Sequence, residues 1–142
     1  MEFVAWFTHK FVMHGFLWGV HKDHHVKEPG FLEKNDLFFL IFAVPSWLCI
    51  MLGMIYQVEI PQAIGFGIAA YGFAYFVVHE VFIHQRIKWL RHTDNLYFRA
   101  IRRAHKMHHK HLGKEDGESF GMLLIHPKYI RAERKAQAKR KA

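Results

Sequence analysis

Residues 37–58, LFFLIFAVPSWLCIMLGMIYQV, and residues 60–78, IPQAIGFGIAAYGFAYFVV, decide the architecture. Neither stretch contains a charged side chain, and only Glu59 stands between them. A helix needs about 20 apolar residues to cross the hydrocarbon core of a bilayer; the two stretches have 22 and 19. A soluble domain of 142 residues rarely buries two adjacent helices on every side. The pair is therefore expected to form a transmembrane hairpin. Pro61 suits the first turn of the second helix, and Pro45 marks a kink or an irregular start in the first.

The charges flank this hairpin. All 20 Lys and Arg lie outside residues 35–85, and the net charge is +8. Four cations fall in residues 10–34 and sixteen from Arg86 onward, while the tip, QVEIP at 57–61, carries none. Cations at both ends and none at the tip place both ends in the cytoplasm by the positive-inside rule. The 51% apolar and 16% aromatic composition excludes a disordered chain. A single cysteine, Cys49, excludes a disulfide framework and cysteine-rich zinc or iron–sulfur modules. Nucleic-acid binding is the weaker reading of the basic balance, because the aromatics sit in the apolar segments.

Outside the hairpin, residues 1–20 are apolar apart from Glu2, Lys10 and two histidines. They read as the cytoplasmic end of a further membrane helix with little or no upstream part, and lack the features of a signal peptide. Residues 96–112 are expected to form a basic amphipathic helix carrying Leu96, Phe98, Ile101, Ala104 and Met107. Residues 113–121 read as a loop. Residues 131–142 net +5 and are expected to be a frayed helix or disordered arm, following a membrane domain at residues 1–130. Such a tail attracts anionic lipid at ~1 kcal/mol per cation.

The outlying count is histidine, thirteen in all. Ten of them form four boxes in two repeated spacings. His9 and His14 make an H-x4-H box, and His21, His24 and His25 make H-x-x-H-H. His79 and His84 repeat the first spacing; His105, His108 and His109 repeat the second. Positions i, i+3 and i+4 lie on one helix face, so each triplet is expected to aim three imidazoles at one point. Positions i and i+5 lie about 140° apart on a regular helix. An H-x4-H pair therefore reaches two ions, or its helix unwinds locally. Ten imidazoles exceed the needs of one ion and suit two. His92, His111 and His126 fall outside the boxes; His111 follows the last box closely enough to support it.

Both sets of boxes flank the hairpin on its cation-rich side, so the metal centre belongs at the cytoplasmic interface rather than at the bilayer midplane. Imidazole suits iron, zinc, copper and nickel. A zinc hydrolase needs three protein ligands and an open position, which fits ten histidines poorly. Two irons that activate O2 fit better, since breaking an unactivated C–H bond demands an oxidant no side chain provides. A membrane metal carrier or sensor is the non-enzymatic alternative.

The stretches THKFVMHGFLW (8–18), HKDHH (21–25), EKNDLF (33–38), YGFAYFVVHEVFIHQR (71–86), RRAHKMHH (102–109) and GKEDGESFG (113–121) carry a resemblance. The chain resembles the fatty acid hydroxylase superfamily of integral-membrane di-iron enzymes, and within it the bacterial β-carotene 3-hydroxylases. Glu80 stands where that group often has Asp, and Met122 where Phe is common. The resemblance implies an all-α membrane bundle that hydroxylates C3 of β-ionone rings, taking β-carotene to β-cryptoxanthin and zeaxanthin. It implies two non-heme irons, O2, and electrons from ferredoxin or a similar soluble donor fed by NAD(P)H. His9, His14, His21, His24, His25, His79, His84, His105, His108 and His109 are the implied iron ligands. Fatty acyl or sterol hydroxylation and carotenoid ketolation are the alternatives that use the same centre.

Other residues are candidates of a second rank. Asp23 and Glu80 are placed to orient imidazole N–H groups, or are solvated charges. Gly65, Gly67, Ala69, Ala70, Gly72 and Ala74 narrow one helix, for close packing or for a polyene groove that Tyr71, Phe73, Tyr75 and Phe76 would flank. Arg86, Arg102 and Arg103 suit interfacial anchoring or the docking of an acidic electron donor.

Overall fold

The computed structural model describes residues 1–26, 30, 32–90 and 92–141, so Ala142, the end of the expected tail, lies outside the described residues. All regular elements among the described residues are helical. The chain begins with α1 (Glu2–Phe7), a π-helix π1 (Thr8–Phe16) and α2 (Trp18–His25). A 3₁₀ turn, Lys34–Asp36, leads into the hairpin of α3 (Leu37–Ile55) and α4 (Glu59–Tyr75), which continues as a second π-helix, π2 (Phe76–Ile83). Helices α5 (Leu96–His108) and α6 (Pro127–Lys141) complete the chain.

The hairpin matches the expectation. Lys34–Ile55 and Glu59–Ile83 are each long and apolar enough to cross a membrane, and only 17% and 22% of their most apolar windows are buried within the protein. A helix pair in a soluble core would be mostly buried, so these surfaces meet lipid. Gln57, at φ 55°, reverses the chain, and its side-chain amide donates to the Met54 carbonyl at 2.7 Å. The helices touch closely at Gly65. A Cβ there would lie 2.6 Å from Ile50 Cγ1 and 2.7 Å from the Ser46 carbonyl oxygen. The Ser46 hydroxyl donates to the Gly65 carbonyl at 2.7 Å, across the same contact. A Cβ at Gly67 or Gly72 would meet nothing within 4 Å, so Gly65 alone of these three packs the helices together. Pro45 lies inside α3, and Pro61 in the first turn of α4.

The amphipathic α5 is shorter than expected, ending at His108. Asn95 caps it, its side-chain oxygen accepting from the backbone N–H of Tyr97 at 2.9 Å and Phe98 at 3.2 Å. Its inner face buries Ala100, Ile101, Ala104, His105 and His108. The expected frayed or disordered arm is instead α6, which is helical to Lys141 and packs on α5. Tyr129 is buried against Ala100 and Ala104. Glu133, 3% exposed, accepts from Arg99 at 2.8 Å, Arg103 at 2.7 Å and Arg140 at 2.6 Å. Burial alone would raise this carboxyl; hydrogen bonds from the three guanidiniums overturn that and hold it at about 2. Residue 131 therefore lies within a helix, because one buried acid converts a run of repelling cations into a clamp.

Glu2 ties the amino-terminal helix to the segment before α6 and to α4. Its Oε1 accepts from the backbone N–H groups of Met122 and Leu123 at 2.8 Å and of Leu124 at 3.0 Å. Its Oε2 accepts from the Tyr71 hydroxyl of α4 at 2.5 Å. Gly121 is required beside this nest, since a Cβ would lie 2.8 Å from the Leu124 carbonyl oxygen and 3.2 Å from Glu2 Oε1.

Candidate metal centre

The four boxes lie on π1, α2, π2 and the end of α5. Local unwinding is what happens at the H-x4-H boxes: π1 and π2 replace i→i+4 bonding with i→i+5. The N–H of Leu17 bonds the Val12 carbonyl at 3.0 Å, and that of His84 bonds the His79 carbonyl at 2.9 Å. The wider turn brings positions i and i+5 to one face. His9 and His14 share one cluster, and His79 and His84 the other.

The H-x-x-H-H triplets behave differently from the expectation. Each splits between the clusters. His9, His14, His21, His25 and His108 form one group; His24, His79, His84, His105 and His109 form the other. On an α-helix, i+3 and i+4 stand about 60° and 40° to opposite sides of position i. The first and last histidines of each triplet therefore serve their own half of the chain, and the middle one crosses to the other. His108 joins the amino-terminal four and His24 the carboxy-terminal four.

Within each group one nitrogen per ring lies within 4.8 Å of all the others. In the His9 cluster, Nε2–Nε2 separations are 3.2 Å for His9–His21, 3.2 Å for His21–His25 and 3.3 Å for His14–His108. In the His24 cluster they are 3.2 Å for His24–His79, 2.9 Å for His84–His105 and 2.8 Å for His105–His109. With metal–nitrogen bonds of about 2.1 Å, cis ligands stand about 3.0 Å apart and trans ligands about 4.2 Å. The spacing is that of a coordination shell. The clusters abut, with ring centroids 4.6 Å apart for His25–His109 and 5.7 Å for His105–His108.

The protonation pattern agrees. Carbonyl oxygens only accept, so each Nδ1 bonded to one carries the proton, leaving Nε2 a bare lone pair. In the His9 cluster, Nδ1 of His9 donates to the Phe120 carbonyl at 3.0 Å, His14 to Lys114 at 3.1 Å, His25 to His111 at 3.0 Å and His108 to Glu118 at 2.9 Å. His21 donates to Asn35 Oδ1 at 2.6 Å. In the other cluster, His24 donates to Glu33 at 2.9 Å and His79 to Glu80 at 2.5 Å. Burial, and then the neighbouring rings, hold His24 and His105 well below the usual imidazole range and His109 at about 2. Burial lowers His21 to about 3, the Asn35 hydrogen bond opposing it, and lowers His25 to about 4. In the His9 cluster all five Nε2 lone pairs converge with no hydrogen between them, an arrangement that repels itself unless a cation sits among the nitrogens. The donor set fits two metal ions with nitrogen-rich shells.

The outer partners come from places the boxes do not reveal. Glu80 orients His79, as one expectation had it. Among the described residues Asp23 has no imidazole partner; it accepts from the backbone N–H of Lys34 at 2.5 Å and of Asn35 at 3.3 Å, fixing the turn from which Asn35 reaches His21. Glu33 and Asn35 lie in EKNDLF, and Lys114, Glu118 and Phe120 in GKEDGESFG, the stretches that carry the family resemblance without histidine. His111 supports the site through its carbonyl, which accepts from His25. His126 starts α6, its Nδ1 accepting from Lys128 N–H at 3.2 Å. His92 is exposed.

The three singled-out arginines are engaged inside the chain. Arg86 contacts Glu33 and Glu80 at 2.8 Å and Asp36 at 2.9 Å. Arg102 lies over the Phe82 ring and donates to the Phe82 carbonyl at 2.8 Å, and Arg103 grips Glu133. Tyr75 stacks on His79 at 4.7 Å, whereas Phe73 and Phe76 are exposed. A cavity of about 390 Å³ opens beside the His24 cluster, lined by His24, His84, His105, His109, Arg86 and Lys106 among others.

A model of the fatty acid hydroxylase family matches residues 1–127. The chain belongs to the fatty acid hydroxylase family. Among curated relatives of this hydroxylase, a "Beta-carotene hydroxylase" of Pantoea ananas is 42% identical over 127 residues, covering 89% of this chain and 72% of the relative. One from Paracoccus sp. (strain PC1) is 37% identical, covering 89% and 78%. One from Pseudescherichia vulneris is 38% identical, covering 87% and 69%. No solved structure matches the chain. Membership makes this hydroxylase a membrane-bound oxygenase, and the two histidine clusters fit its iron-dependent chemistry.

Proposed function

We propose that this chain is a carotenoid hydroxylase that adds a hydroxyl group at C3 of β-ionone rings, converting β-carotene through β-cryptoxanthin to zeaxanthin. The observation that carries the reading is the pair of five-imidazole clusters, spaced as coordination shells, at the end of a membrane hairpin. The names of the relatives supply the substrate class. His9, His14, His21, His25 and His108 would hold one iron; His24, His79, His84, His105 and His109 would hold the other. Iron, when bound, supplies the O2-derived oxidant that an unactivated ring C–H bond requires.

The chain's own residues do the rest. The hairpin delivers an apolar substrate from lipid to the level of π2, where α4 runs straight into the site. Rings of Trp18, Phe38 and Phe120 wall the His9 cluster, at 5.1 Å from His14, 6.1 Å from His21 and 5.2 Å from His108, and keep water away. The Nδ1–H bonds of His9, His14, His21, His24, His25, His79 and His108 lock those rings so that Nε2 faces inward. The scaffold decides which carbon approaches the oxidant. The positive-inside pattern supports a site on the cytoplasmic face, where a soluble donor such as ferredoxin, fed by NAD(P)H, would deliver electrons.

Expression in cells that accumulate β-carotene tests the reading. Zeaxanthin is the expected product. Canthaxanthin would make the chain a ketolase, and unchanged carotenoid with an oxidised lipid would make it an acyl or sterol hydroxylase.

A further inference from the structure

The two clusters are alike in their imidazoles and unlike in what stands behind them. All five Nδ1–H groups of the His9 cluster rest on neutral oxygens: four backbone carbonyls and the Asn35 amide. In the His24 cluster, His24 and His79 rest on the carboxylates of Glu33 and Glu80. A single guanidinium, Arg86, contacts these two and Asp36, so three carboxylates meet one cation there. Asp23, on the helix that carries His21, gives its oxygens to backbone N–H groups instead.

A carboxylate behind an imidazole draws on the Nδ1 proton and makes Nε2 a stronger donor, which favours the higher charge on a bound ion. The surroundings add to the difference. Three aromatic rings stand against the His9 cluster and Tyr75 against the His24 cluster, while four rings of the His24 cluster, and only His25 of the other, line the 390 Å³ cavity. A low-dielectric wall disfavours extra charge, and an open, acid-backed site tolerates it.

We propose that the two metal positions are electronically inequivalent: Glu33 and Glu80 act as positioning residues that hold the ion of the His24 cluster in the ferric state while the ion of the His9 cluster is reduced first. The inference rests on the reading that each cluster binds one iron.

The test uses the full chain in detergent, loaded with ⁵⁷Fe, with iron counted per chain before any spectrum is taken. One electron equivalent from dithionite is added, and the Mössbauer spectrum is recorded. Separate ferric and ferrous signals of equal area are expected. A redox titration should then show two one-electron potentials. Glu33→Gln and Glu80→Gln should each raise the lower one by about tenfold in its equilibrium constant, or ~59 mV. The upper one should stay in place, and Glu80→Asp should restore the wild-type pattern. Two equivalent irons in the half-reduced wild type overturn the inference, whatever the variants do. Equal movement of both potentials in the Gln variants overturns it as well. A preparation that binds well under two irons per chain overturns the underlying site reading, and the inference with it.

Discussion

His108 and His109 are neighbours in sequence but belong to different clusters, which makes them a sharp test of the crossed arrangement. His108→Ala removes one of five donors from the His9 cluster, and His109→Ala one of five from the His24 cluster. Loss of an outer hydrogen-bond partner typically costs 10–100-fold in metal affinity. Loss of the donor itself should reach at least the upper end, about 100-fold, or ~2.7 kcal/mol at ~1.4 kcal/mol per decade. The pairings then separate. In His25→Ala/His108→Ala both changes fall on one position, so the second acts on a site already emptied and the other ion stays. In His108→Ala/His109→Ala each position loses a donor and both ions are weakened. Metal per chain, measured after equilibration at a free iron concentration about tenfold above the wild-type dissociation constant, reads this directly. The first variant should retain about one equivalent and the second well under half of one. If the adjacent pair kept a full equivalent while the His25/His108 pair lost both, the crossed assignment would be wrong.

Four further outcomes are expected. Gly65→Ala should destabilise the hairpin by about 1–3 kcal/mol, because its Cβ would meet Ile50 and Ser46. Gly67→Ala, with open space at that point, should leave thermal unfolding in detergent unchanged. Glu133→Gln should loosen α6, at a cost of about 2 kcal/mol given its partly exposed arginines, and limited proteolysis should then cut within α6. In the wild type the same contact should hold above the unfolded carboxyl value of about 4.5. It should be lost as pH falls from there toward about 2, because the folded pKa is depressed. Glu2→Ala leaves the Met122, Leu123 and Leu124 N–H groups without their acceptor, at about 1–3 kcal/mol, and hydrogen exchange at those amides should rise. Metal-free protein should be less stable than the loaded form and should weaken further as pH drops below about 6.5. Folded values near 3 for His21 and His108 mean that the unfolded chain binds more protons there. Melting curves from pH 7 to 5, with and without iron, check the sign.

Much of this protein was open to reading in one dimension. Charge-free runs of bilayer length, with cations only at their outer ends, specify the hairpin, because a bilayer tolerates neither charge nor unpaired backbone in its core. Repeated histidine spacings point to a two-ion site, since ten imidazoles have no comparable use on a lipid-facing surface. Three things waited for the fold. The π-helical turns bring i and i+5 together, a backbone choice that side-chain spacing suggests but does not compel. The exchange of His24 and His108 follows from the angular gap between i+3 and i+4, and it acts only once two helices face each other. The acceptors at Glu33, Asn35, Phe120, Lys114 and Glu118 are set by loops meeting across as many as 111 residues of chain, mostly through backbone carbonyls. Every residue has a carbonyl, so composition carries no trace of which ones a tertiary contact will use.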